Sequence, residues 1–312
     1  MDRCRAVRGV DRVMRGDMMS EDRAVLSEKL IKLMTLEQVG ENEFLGAMTP
    51  QENSLGRGRV YGGLVVAQAL AAAEATAPHD RPAASLHCRF LREGDEARRI
   101  RYQVTRDMDG GSVSHRRVTA EQDGVTILTF SAMLHRRGEG VSHQPDMPNV
   151  PSPESLRADF ARSADALPFA LRRYLSIPRL VEMVPVDHAM LDHKAENIQP
   201  FRAWVRPSVL AVDDVRTRRA MLAYASDSAL LLAATLRHGL ISYRDEIRGA
   251  SLDHALWIHD DPAADDWMLY VSESPWTGQQ RGLTRGHLFA RDGRLIASAA
   301  QEGLLRLMTP AA

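Results

Sequence analysis

Cysteine is scarce: there are two in 312 residues, Cys4 and Cys88. That excludes a disulfide framework. Neither residue has a CxxC or zinc-ligand partner, so a reducing, cytoplasmic setting is expected. An excess of one charge is also missing. The 40 Lys and Arg stand against 41 Asp and Glu, a formal net charge of −1, which offers no electrostatic case for nucleic acid or a membrane surface as partner. No stretch reaches the roughly 18 uninterrupted apolar residues of a spanning helix, so membrane insertion is not expected. The first 17 residues, with Arg3, Arg5, Arg8, Arg12 and Arg15 among Asp2, Asp11 and Asp17, lack the apolar centre of a secretory signal. Residues 1–19 read either as a disordered arm or as sequence ahead of a start at Met18 or Met19.

Familiar catalytic signatures are absent too. There is no G-x-S-x-G elbow. The stretch Gly56–Gly63 is neither a dinucleotide fingerprint nor a P-loop; its glycines suit close backbone approach and the opening of a helix. His254 and His259 are five residues apart on a strand and point to opposite faces, as do His188 and His193, so no metal site is expected. Cys88 lies in an apolar strand and reads as packing. Arg216, Arg218 and Arg219 read as a solvated helix start rather than a phosphate site.

What is present is a repeated pattern. A helix over 21–36, capped by Ser20, and an extended run over 43–48 precede an apolar helix over 64–77, stopped by Pro78. Strand-like runs follow at 84–93, 99–108, 113–122 and 125–135, the last two joined by an Asp123-Gly124 hairpin signal. Residues 138–180 are proline-rich, around a helix expected at 154–175, and read as a linker. The first pattern then returns. Runs at 181–188 and 201–207 lead to an apolar helix over 216–236, then runs at 251–259, 266–274, 281–290 and 294–306, with an Asp292-Gly293 hairpin. The two Asp-Gly pairs are 169 residues apart. The spacing predicts an internal duplication: an arm at 1–19, halves at 20–137 and 181–308, and two antiparallel sheets back to back around buried helices.

One residue stands out in the second helix. Between Ala220 and Leu236 the only charged side chain is Asp227. An unpaired carboxylate buried there costs several kcal/mol. Ser226 and Ser228 offer it a local hydrogen-bonded explanation. The apolar flanks Met221, Leu222, Ala225, Leu230 and Leu232 favour a functional one. The comparable intrusion in the first helix is Gln68, which cannot serve as a base.

These residues carry a resemblance to the type II acyl-CoA thioesterases. Residues Val60 to Leu70 are similar to the family's F-G-G-Q-V-V-G-Q-A-L, Phe90 to Asp95 to F-L-R-P-G-D, Tyr224 to Asp227 to Y-A-S-D, and Ala300 to Arg306 to V-Q-E-G-V-M-R. The likeness runs from about Leu26 to Met308. It implies an α+β double hotdog, each half a curved antiparallel sheet around a long helix. It also implies hydrolysis of acyl-CoA by a water held by an Asp, a Thr and a Gln, which fall on Asp227, Ser251 and Gln301. Ser251 replaces the family Thr, keeping the hydroxyl and losing the methyl; Leu64 and Ala67 replace a Gln and a Gly. Backbone N–H groups at Gly62 and Gly63 are the expected donors to the carbonyl oxygen. No cofactor is implied, CoA entering only as part of the substrate, and assembly into a homo-oligomer through outer sheet edges or faces is expected. Two rivals remain: a hotdog enoyl-CoA hydratase, which wants a His beside the Asp, and a non-catalytic acyl-CoA-binding double hotdog.

Overall fold

The computed structural model describes residues 20–48, 58–162, 178–186, 200–228, 230–240 and 247–308. The arm at 1–19 and the pair His188 and His193 lie outside them. Helix α1 (Ser20–Met34) leads into a hairpin of β1 (Glu37–Gly40) and β2 (Glu43–Leu45). Helix α2 (Gly62–Ala75) is followed by β3 (Ala83–Phe90), β4 (Arg101–Asp109), β5 (Val113–Gln122) and β6 (Val125–His135). The Asp123-Gly124 turn takes positive φ at both residues, 49° and 77°, which suits the two-residue hairpin its sequence announces. Helix α3 (Pro153–Arg162) is the described part of the helix expected at 154–175.

The second round repeats the first. Strands β7 (Val181–Pro185) and β8 (Phe201–Pro207) precede α4 (Val215–Ser226) and the short α5 (Leu232–Leu236). Then come β9 (Ile247–Ser251), β10 (Asp253–Ile258), β11 (Met268–Gly278), β12 (Arg281–Ala290) and β13 (Leu295–Leu307). The spatial order β2-β4-β5-β6-β3 in one half is matched by β8-β11-β12-β13-β10 in the other.

The two sheets are not back to back. They join edge to edge through β3 and β10, with Cys88 opposite His254 and Leu86 opposite Leu256, making one continuous antiparallel sheet. The physical reason is that β3 and β10 would otherwise each expose a row of unpaired backbone groups. Joined, they satisfy each other, and the curved sheet holds α2 and α4 side by side, so that each helix covers the flank the sheet leaves open.

Helix α2 buries nearly all its circumference, including Leu64, Val66, Ala69, Leu70 and Ala73, consistent with its lack of a polar face. Gln68 is absorbed structurally, donating to the Leu33 carbonyl (2.8 Å) and accepting from the Tyr102 hydroxyl (2.8 Å). At the far end, the buried guanidinium of Arg116 donates to the carbonyl of Thr76 and to its hydroxyl, both at 3.0 Å. Helix α4 starts on Asp214, whose side chain accepts from the Arg216 and Thr217 amides. Arg219 is not solvated, contrary to its place in a basic run. It is 3% exposed and ion-paired to Glu74 of α2 and to Asp261, each at 2.7 Å. Burying that charge is tolerable only because both partners reach it. The pairing sets α2 and α4 antiparallel, so the start of α2 meets the end of α4.

Candidate active site

That meeting point is tight. A Cβ on Gly63 would lie 2.7 Å from the carbonyl oxygen of Tyr224 and 2.5 Å from the Tyr61 ring, so only glycine lets the helices approach this closely. The Tyr61 hydroxyl donates to the Tyr224 carbonyl (3.1 Å), and the two rings pack edge to face at 4.8 Å.

Asp227 lies at this junction, but not in mid-helix. The continuous helix expected over 216–236 stops at Ser226, and Asp227 is its C-cap, with helical φ and ψ of −84° and −11°. Side chains have taken the carbonyls that further turns would have used. Ser226 donates to Ala223 (2.9 Å), Ser228 to Ala225 (2.6 Å), and Tyr270 of β11 to Ser226 (2.7 Å). The break turns the carboxylate away from the helix axis and toward the sheet.

There it meets the other two residues that the resemblance singled out. The side-chain amide of Gln301 donates through Nε2 to Asp227 Oδ1 at 2.7 Å and to Ser251 Oγ at 2.6 Å. Gln301 is on β13, 1% exposed, and Ser251 is the last residue of β9. Strand β9 was not foreseen as separate from β10. Both pair with β13, and the chain switches between them at Leu252, where the Leu252 amide donates to the Glu302 carbonyl (2.8 Å) and the Glu302 amide to Asp253 Oδ1 (2.7 Å). This offset sets Ser251 opposite Gly303, where a Cβ would lie 2.6 Å from the Leu231 side chain packed over it.

Burial pushes the Asp227 carboxyl up to about 6, while the Gln301 amide and the Gly63 backbone N–H pull it the other way by favouring the anion. Gly63 therefore faces the carboxylate. Gly62, the first residue of α2, is also beside it: a Cβ there would lie 3.1 Å from Asp227 Oδ2 and 3.1 Å from the Phe90 ring. Cys88 is buried, and its thiol is pushed up by burial and by Asp227, which keeps it a protonated packing residue.

A histidine stands nearer Asp227 than sequence distance suggested. His254 is buried, and its Nε2 is 2.9 Å from the hydroxyl of Ser226. Burial lowers its pKa to about 4, so it is neutral and faces the back of the helix end rather than the carboxylate. His259 lies on the exposed face, as alternation required. Among the described residues no group of three His, Cys, Asp or Glu side chains could hold a metal ion. None of the described helices is long and apolar enough to cross a membrane.

A strand, a buried helix and four antiparallel strands, twice over in one curved sheet, define a double hotdog. The family described as acyl-CoA thioesterase matches residues 173–304, and its N-terminal domain matches residues 49–135. The chain belongs to the acyl-CoA thioesterase family. It is 34% identical over 308 residues to human acyl-coenzyme A thioesterase 8, covering 94% of this chain and 92% of that protein. It is 33% identical to acyl-CoA thioesterase 2 of Haemophilus influenzae, covering 89% and 96%. The crystal structure of acyl-CoA thioesterase II TesB2 from Mycobacterium marinum superposes with a TM-score of 0.72 at 31% identity, covering 91% of this chain and 99% of that one.

Proposed function

We propose that the protein hydrolyses acyl-CoA thioesters to free fatty acid and CoA, using a water activated by Asp227 and oriented by Ser251 and Gln301. The observation that supports this most directly is the shared amide of Gln301, which ties the carboxylate and the hydroxyl into one unit. Because Ser251 Oγ accepts from Gln301, its own proton is free to donate to the water oxygen. The water in turn gives a proton to Asp227 as its oxygen attacks the thioester carbonyl. The tetrahedral oxyanion takes a hydrogen bond from the Gly62 N–H at the start of α2, while the Gly63 N–H, the other donor expected there, bonds to the Asp227 carboxylate instead. When the C–S bond breaks, the leaving thiolate recovers the proton from Asp227, which returns the carboxylate to its starting state. A thioester is electrophilic enough for a positioned water to suffice, so no covalent intermediate and no cofactor enter.

Assay of free-thiol release from acyl-CoAs of graded chain length tests the reading, and the absence of release at every length would overturn it. A base with a pKa near 6 sets the pH dependence. The anion is the active form, so kcat/KM is expected to be flat above about pH 7 and to fall tenfold per unit below about pH 6. Ser251→Ala removes one hydrogen bond of about 1–2 kcal/mol and is expected to lower kcat roughly 5- to 30-fold. Ser251→Thr keeps the hydroxyl and should stay within several-fold of the parent. An alanine variant as active as the parent would remove Ser251 from the machinery.

A further inference from the structure

The end of a helix is a poor place for a carboxylate, because its free carbonyls form the negative end of the macrodipole. Here the carbonyl immediately before the base in the chain is Ser226 O, which shares a peptide plane with the Asp227 nitrogen. It accepts from the buried Tyr270 hydroxyl at 2.7 Å. The tyrosine ring has a slot cut for it: a Cβ on Gly286 of the neighbouring β12 would lie 2.6 Å from Tyr270 Cε2. The Ser226 hydroxyl spends its proton on the Ala223 carbonyl, so the 2.9 Å contact with His254 requires the imidazole to donate through Nε2. One residue is thus gripped twice, by its carbonyl from β11 and by its side chain from β10.

We propose that Tyr270 and His254 are positioning residues for Asp227. They hold the Ser226 peptide in the orientation that ends α4 and aims the next side chain at Gln301. Tyr270 further neutralises the carbonyl that would otherwise repel the ionised carboxylate. Without that hydroxyl, Ser226 O is free to accept a helical bond from residue 230, and the sequence beyond is rich in helix formers. The inference rests on Asp227 acting as the base. The titratable groups around the carboxylate are Cys88 from β3, Tyr224 from α4, Tyr270 from β11 and His254 from β10. All are neutral, the first three raised and the last lowered by burial.

Tyr270→Phe keeps the ring in its slot and removes only the donor. The expected result is a kcat about tenfold lower, KM within about twofold, and an acid limb of kcat/KM moved upward by about half a pH unit. His254→Leu should lower kcat similarly, and His254→Gln, which restores a donor near Nε2, should recover most of the loss. The Asp227 titration is also read without turnover, from the gap in thermal midpoint between the chain and its Asp227→Asn counterpart, which opens above about pH 4 and stops widening at the folded pKa. In the Tyr270→Phe background the pH at which the gap levels off should move up by the same amount. A shifted plateau in a chain that releases no thiol would retain the positioning role and reject the hydrolytic reading. An unshifted plateau, or a Tyr270→Phe enzyme with the parent kcat and pH profile, would overturn the proposal.

Discussion

Asp227→Asn is expected to lower kcat by about 10² to 10⁴ with little change in KM. The substitution preserves shape and an oxygen for the Gln301 amide to bond, and it removes the carboxylate to which the proposed mechanism assigns the water's proton. It also carries a stability signature. A carboxyl whose folded pKa is about 6 is bound more tightly to its proton in the fold than in the unfolded chain. Its favourable contribution is complete below about pH 4 and is lost as pH rises through about 6. At pH 7.5 the buried anion therefore costs on the order of 1–3 kcal/mol, a strain the amide does not share. The variant should melt no lower than the parent at pH 7.5 while being nearly inactive. A structural Asp227 predicts the reverse, with lost stability and the kcat of the folded fraction retained. Measuring kcat and thermal midpoint on the same preparation separates the two.

Gln301→Ala is expected to cost 10² to 10³ in kcat, comparable with losing a preorganised donor at a reacting centre. It removes both bonds of the shared amide, so Asp227 and Ser251 are no longer held in a common frame. It also withdraws a group that lowers the Asp227 pKa, so the acid limb of the pH profile should move above 6. A purely packing role for Gln301 would lower the melting temperature and leave the acid limb in place. That outcome would falsify the positioning role assigned here.

Period-two alternation made the central strands legible, because the sheet has one face against the helices and one in water. Strands β5 and β6 fall within the runs read at 113–122 and 125–135 and join at the expected Asp-Gly turn. The end of α4 was not legible. Residues 228–236 favour helix by composition, and the hydroxyls that occupy the last carbonyls include, beside the local Ser226 and Ser228, those of Tyr61 and Tyr270, 163 and 44 residues distant from the carbonyls they bond. Strand β9 was hidden for a different reason. Its residues Arg248, Gly249 and Ala250 are exposed in succession and show no alternation. Arg219 looked solvated because its partner Glu74 belongs to the other half of the chain. Contacts distant in sequence, between the halves for Arg219 and Tyr61 and within the second half for Tyr270, contribute to these features, and local propensity contains none of that information.

Duplication supplies two equivalent corners, and the proposed chemistry uses one of them. The cap of α2 that corresponds to Asp227 is Thr76, and the hairpin spacing of 169 residues aligns Gln301 with Ala132. That corner holds the wholly buried Arg116, its guanidinium bound to the Thr76 carbonyl and hydroxyl and to Asp109, and at the same end of α2 the buried Glu74 is ion-paired to Arg219. Both carboxylates there are held by guanidinium groups, whereas Asp227 is bonded to neutral amides. On the proposed mechanism the stoichiometry is one turnover centre per polypeptide, with the sister half serving as its scaffold. Neither half alone holds the whole of the proposed centre, since Gly62 and Gly63 come from the first and Asp227, Ser251 and Gln301 from the second.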